Sequence, residues 1–130
     1  SQGEYVSKNI VGGLLGHWAF WTKTAVDLFG RIESARGANR KSLDGELLSL
    51  SAKMTDVNAA VFDPSNNFSG CIPGIHEILR RQGLLEGRWC LDESKELSPG
   101  QLKAIDRVYR EYPELNDDKF VEKNIDAWLR

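Results

Sequence analysis

Six apolar residues, Leu43, Leu47, Leu50, Met54, Val57 and Val61, follow one another at alternating steps of four and three. Side chains so spaced share one side of an α-helix, so the run from Ser42 to Phe62 is expected to be helical and to need a second apolar surface against it. A seam of this length is too long for an ordinary strand, and it commits the chain to helix-on-helix packing. With 130 residues, 41% hydrophobic and 28% charged, there is apolar material for one core and no need for a second domain.

The remaining segments follow the same logic. Trp18, Trp21, Ala25, Leu28, Phe29 and Ile32 recur at helical spacing and predict an amphipathic helix from Trp18 to Ser34 that stops near Gly37. In the run from Phe62 to Gly87 a polar loop feeds a short helix, with Pro73 in its first turn, Gly83 just past its end, and Ile75, Ile78 and Leu79 as its apolar stripe. Ser98, Pro99 and Gln101 supply an N-cap, a first-turn proline and a capping-box partner for a helix from Pro99 to Tyr112. Pro113 ends it, Asn116 or Asp117 caps another, and Phe120, Val121, Ile125, Trp128 and Leu129 give the last stripe. The reading is a mainly α chain of about five helices, with a short strand or an extended lead-in over Ile10 to Leu15 ahead of them. The connector Gly87 to Leu97 is expected to plug a groove with Trp89 and Leu91.

Composition excludes several functions. A net charge of −2 with interspersed signs gives no footprint for nucleic acid or an anionic membrane surface. The apolar run Ile10 to Trp21 contains three glycines and a histidine and falls short of the roughly 20 residues a spanning helix needs. The segment SQGEYVSKN lacks a charged stretch leading into an apolar core, so a cytoplasmic chain is expected, although a cleaved leader would leave the same start. Cys71 and Cys90 are then expected as reduced thiols. Neither cysteine lies in a metal-ligand pattern, and His17 and His76 are far apart, so no metal is expected. The group Gly12, Gly13 and Gly16 has the wrong spacing for a dinucleotide fingerprint, and no phosphate-loop motif occurs.

Among residues that could carry chemistry, His17 follows a glycine at the turn from strand to helix, where it could meet a carbonyl or an anion. Local hydrogen bonding is the simpler role for it. His76 reads as an edge residue, and Asp63, Asn66 and Asn67 read as turn-formers rather than cation ligands. The aromatic cluster Trp18, Phe20 and Trp21 reads as core or interface. Arg80, Arg81 and Arg88 could clamp a carboxylate or phosphate, but beside Glu77 and Glu86 they read as a charged helix face. No serine elbow, Cys/His dyad or prominent acid pair appears.

The stretch AAVFDPSNNFSGCIPGIHEILRRQGLLEGRWCLD and the later LSPGQLKAIDRVYREYPELNDDKFVEKNIDAWL together resemble the C-terminal end of the dihydrodipicolinate synthase and N-acetylneuraminate lyase family. GGLLGHWAFWTKTAVDLF looks like the family's last barrel strand and helix. By this resemblance residues 1–37 correspond to the last β/α unit of a (β/α)8 barrel and residues 42–130 to the helical domain that follows it, forming one helical unit over 1–130. The family's chemistry is class I aldolase-type: a barrel lysine forms a Schiff base with a 2-oxo acid such as pyruvate, without a separate cofactor. The family's reactive lysine, proton-relaying tyrosine and carboxylate-binding Gly-Thr-Thr/Ser motif come from earlier strands, and no segment here resembles them. Lys8, Lys23, Lys41, Lys53, Lys95, Lys103, Lys119 and Lys123 all sit in polar or helix-surface contexts. The resemblance therefore implies that catalytic residues are absent from this chain, that its partner is the missing barrel in cis or from another chain, and that the whole protein is a homo-oligomer. His17 and Trp18 would fall at the C-terminal end of a barrel strand, which makes them the ligand-proximal candidates. A non-catalytic helical interaction or oligomerisation module, using the Trp18 and Trp21 face or the Leu43 to Val61 seam, is the alternative.

Overall fold

A computed structural model describes residues 6, 8, 10–13, 16–38 and 45–129. Within them the chain forms five α-helices: α1 (Thr22–Ala38), α2 (Gly45–Phe62), α3 (Cys71–Arg81), α4 (Gln101–Glu111) and α5 (Asp118–Trp128). A short 3-10 turn at Gly16–Ala19 precedes α1, and others at Pro64–Asn66 and Pro113–Leu115 lie between α2 and α3 and between α4 and α5.

The predicted seam organises the core. Leu50, Val57 and Val61 of α2 are buried with Ile78 of α3 and Ile105 and Val108 of α4, and Phe20, Trp21 and Leu115 complete the cluster. Val57, Val61, Ile78, Ile105 and Val108 are each 0% exposed, and full burial of such a side chain stabilises by about 1.5–3 kcal/mol. Leu47 and Met54 pack on the rim of this cluster, whereas Ser42 and Leu43 lie outside the described residues.

Several expected boundaries move, each for a local reason. No strand forms among the described residues: Ile10 to Gly13 have no regular structure, Ile10 and Val11 are 78% and 82% exposed, and Leu14 and Leu15 are not described. A single strand without a partner would leave its backbone groups unpaired. The helix expected from Trp18 begins only at Thr22, because Trp21 takes a left-handed φ of 49° that separates the 3-10 turn from α1. α4 begins at Gln101 instead of Pro99. Gly100 has φ 85° and ψ −13°, and the Gln101 N–H donates to Ser98 O at 3.0 Å, the geometry of a type II turn with proline and glycine in its centre. α3 starts at Cys71, two positions before Pro73, and its ladder opens with the Gly74 N–H donating to Gly70 O at 2.8 Å. Pro73 therefore still sits among first-turn residues whose N–H groups have no helical acceptor. At the other end Gly83, with φ 77°, donates to Arg80 O at 3.0 Å, and the Leu84 N–H reaches Leu79 O at 2.9 Å. These two bonds form a Schellman cap and satisfy the expectation for Gly83.

Candidate functional site

The loop between α2 and α3 is held by one carboxylate. Asp63 is 6% exposed and lies in the left-handed region, where a short polar side chain is tolerated. Its Oδ1 accepts from Asn66 Nδ2 at 2.6 Å, and its Oδ2 accepts from the Gly70 N–H at 3.0 Å and from Ser98 Oγ at 2.6 Å. Burial pushes this carboxyl up, but the bonds from Ser98, Asn66 and Gly70 outweigh it and hold the group below its ordinary value. Asp63 and Asn66 thus fasten the loop by their side chains. Asn67 contributes through its backbone, with φ 51° and its N–H on Pro64 O at 3.2 Å.

Gln101 joins this loop to two helices. Its Nε2 donates to Val61 O at 3.0 Å and Gly70 O at 2.9 Å, while its Oε1 accepts from the Ser98 N–H at 3.0 Å. Val61 O is one of the carbonyls that the C-terminal turn of α2 leaves without a helical donor, so a buried amide from α4 fills an obligatory vacancy. The predicted capping-box bond from Gln101 to Ser98 is present, while Ser98 Oγ spends its own hydrogen on Asp63 instead of on α4.

Glu77 departs most from the sequence reading. It is 1% exposed, and three arginines converge on it: Arg80 Nε at 3.0 Å, Arg81 Nε at 2.8 Å and Arg88 Nη1 at 3.0 Å. The arginines are not a free clamp: they reach the surface as a charged face, but the carboxylate they share is inside the fold. Burial opposes its ionisation, and the bonds from Arg80, Arg81 and Arg88 reverse that effect and hold it at about 2. Arg81 also reaches Asp106 at 2.6 Å and lies over the Tyr109 ring, 4.9 Å from its centroid. The pattern Glu77, Arg80, Arg81 has the three- and four-residue spacing of helical ion pairs, which signalled the pairing but not its burial.

His17 and Trp18 are adjacent in sequence and separate in space. His17 is 9% exposed, with Nδ1 at 2.9 Å from Asn58 Oδ1 and its ring edge-on to Phe20 at 4.5 Å. Burial lowers its pKa, and the Asn58 bond and the charge of Asp117 oppose that shift. With Nδ1 donating to Asn58, the neutral ring leaves Nε2 as an acceptor without a protein partner. Trp18 turns outward, half-buried, against Phe29 at 6.1 Å, and lines a shallow groove with Phe62, Phe68 and Ile72. Of Asn116 and Asp117, the residues expected to cap α5, Asp117 is its N-cap and its carbonyl accepts from the Phe120 and Val121 N–H groups, but its side chain serves α1. Its carboxylate accepts from the Lys23 N–H at 2.9 Å and from Gln82 Nε2 at 2.7 Å, leaving Asn116 Oδ1 to receive the Asp118 N–H at 2.6 Å.

No lysine among the described residues is buried. Lys23 pairs with Asp27, and Lys53 Nζ with Glu114 at 2.6 Å; Lys41 lies outside the described residues. Among the described residues no three His, Cys, Asp or Glu side chains are grouped as metal ligands, and no helix is long and apolar enough to cross a membrane. Cys71 and Cys90 are half-buried and unbonded to each other; burial, helped by Asp63, pushes the Cys71 thiol up. Trp89 and Leu91 do not plug a groove as expected. They are 72% and 108% exposed, on the wall of an open cleft. No protein-family model, curated protein or solved structure matches the chain.

Proposed function

We propose that this chain is the C-terminal portion of a class I aldolase-type lyase or synthase of the dihydrodipicolinate synthase and N-acetylneuraminate lyase family. The complete enzyme acts on a 2-oxo acid such as pyruvate through a Schiff base, and the lysine that forms it lies outside these residues. The chain's own part is structural: a helical domain that packs against the barrel and supports it in a cytoplasmic homo-oligomer.

The observation that carries this reading is the apolar surface left open on α1 and on Ile10 and Val11 before it. Ile10, Val11, Val26 and Ile32 are 78%, 82%, 51% and 46% exposed. Apolar side chains left open along a helix and its lead-in need a covering surface, and in this family the barrel supplies one. The surface positions of the described lysines agree with a part that does no amine chemistry of its own, since an amine becomes nucleophilic near neutral pH through desolvation.

Two experiments test it. Translation of the coding frame upstream of Ser1 is expected to give a barrel with a strand-borne lysine; an initiator methionine directly before Ser1 would sink the reading. Incubating the 130-residue chain with pyruvate and borohydride is expected to leave its mass unchanged, and a stable adduct on any lysine would refute the assignment of the Schiff base to another segment. An independent self-association module is the second reading, and the same uncovered face favours it. Of the surfaces first considered for it, Trp21 and most of the α2 seam are buried inside the fold.

A further inference from the structure

His17 stands where a change of charge would be felt by a whole helix. It lies in the 3-10 turn Gly16–Ala19, just before α1, and its buried ring ties that turn to α2 through Nδ1 and Asn58 Oδ1. Phe20 and Trp21 meet the ring edge-on, with centroids at 4.5 and 6.0 Å, and both belong to the buried core. From the turn before α5, Asp117 is the charged group that acts on the ring. Its carboxylate is already engaged by the Lys23 N–H and by Gln82.

In the neutral ring the Nδ1–H donates to Asn58, and Nε2 carries a lone pair. Uptake of a proton from solvent adds an N–H at Nε2, a buried atom for which the described residues supply no partner, and places a positive charge among aromatic side chains. Asp117 attracts that charge, but burial outweighs both this attraction and the Asn58 bond, so the folded state resists protonation. A ring in water takes up the proton more readily, so acid favours whatever state releases His17.

The way α1 is held defines that state. Its contacts inside the fold lie at its start, where Ala25 is buried, the Lys23 N–H rests on Asp117 and Thr24 Oγ1 donates to Leu115 O. From Gly30 to Arg36 every residue is exposed. Val57, Val61, Ile78, Ile105 and Val108, the aliphatic centre of the core, come from α2, α3 and α4. We propose that His17 is an acid-operated latch: protonation at Nε2 frees the 3-10 turn and α1 from α2 and from the turn before α5, while α2, α3 and α4 stay packed on one another. The latch belongs to the chain by itself and does not rest on the aldolase reading.

The test is amide hydrogen exchange of the 130-residue chain, followed by NMR between about pH 7.5 and pH 5 and corrected for the intrinsic pH dependence of exchange. The Ala25 N–H donates to Trp21 O at 3.1 Å, and its protection is expected to fall about tenfold over that range, since release is coupled to one proton. The amides of Ile78, Ile105 and Val108 should keep theirs. Glu77, held at about 2, stays ionised throughout, which makes α3 a steady reference. His17→Phe keeps an aromatic ring without a titrating group and should leave Ala25 protection constant with pH. Asn58→Asp sets a carboxylate against Nδ1 and should cancel the loss or turn it into a gain. Protection at Ala25 that does not change with pH, or that falls in step with Ile105 and Val108, would overturn the latch. So would a loss of the same size in either variant.

Discussion

α1 and α3 are both amphipathic helices, yet α1 is buried only at its start, with exposed polar contacts from Arg31 to Glu46 and from Arg36 to Ile10 O at its far end, whereas α3 is buried along one face and capped at both ends. In α1 the contacts inside the fold cluster at the start: Trp21 and Ala25 are buried, the Lys23 N–H rests on Asp117, and Thr24 Oγ1 donates to Leu115 O at 2.7 Å. From Gly30 to Arg36 every residue is exposed. In α3 Pro73, Gly74, Glu77 and Ile78 are all buried, and both ends are fixed by bonds to the loops beside them. The difference shows that an apolar stripe sets which side of a helix can be buried, while neighbouring elements set how much of it is.

This contrast can be broken most severely at Glu77. Glu77→Ala leaves three arginines gathered around no counter-charge and is expected to destabilise by about 3 kcal/mol, at the lower end for a broken buried pair because the arginines reach solvent, as measured by urea unfolding. Acid should act in the same direction. The carboxyl titrates at about 2 against an ordinary 4.5, so its contribution is complete above pH 4.5 and disappears as pH falls toward 2; in Glu77→Gln that acid-dependent loss should be absent.

Glycine substitutions sharpen the comparison further, because the same change should have opposite signs in the two helices. A Cβ at Gly74 would collide with the Val61 carbonyl and with Gln101 Nε2, so Gly74→Ala should cost about 2 kcal/mol by forcing α3 off α2. At Gly30 a Cβ meets nothing within 4 Å, and Gly30→Ala should stabilise by up to about 1 kcal/mol through helix propensity alone. Equal effects from the two, read from unfolding midpoints, would erase the distinction. His17 predicts a smaller acid dependence at the anchored end of α1. Its pKa is lowered from 6.5 by burial, so the stability that its neutral form contributes is present above pH 6.5 and is lost as pH falls through the folded value. His17→Phe should flatten that part of the curve. The smallest effect belongs to the exposed end: Ile32→Lys should change the stability of the isolated chain by no more than about 0.5 kcal/mol.

Sequence patterning located the α2 seam, the Schellman cap at Gly83 and the apolar faces of α4, because each depends on residues within a few positions of one another. It placed the start of α4 two residues early by reading Pro99 as a first helical residue, when Pro99 followed by Gly100 is a turn signal. It read Glu77 and its arginines as a charged helix face and missed the burial of Glu77, because spacing on one helix cannot say which side another helix will cover. Gln101 was marked as a capping residue, but its bonds to Val61 and Gly70 span about forty and thirty positions, and no local pattern encodes them. Of the strand or extended lead-in expected over Ile10 to Leu15, the described residues Ile10 to Gly13 form no strand, because pairing depends on segments far away in sequence.

What the sequence determined by itself was a mainly helical chain, with one long apolar seam and a polar loop delimited by proline and glycine. Periodicity and backbone stereochemistry are local, and they act whatever the chain packs against. The tertiary structure alone decided that Glu77 is buried while Phe68 and Trp89 are exposed, and that Asp117 serves a helix far before it in the chain. Burial and long-range hydrogen bonding depend on which surfaces meet, and desolvation then makes one glutamate a structural centre while leaving another, Glu86, at the surface.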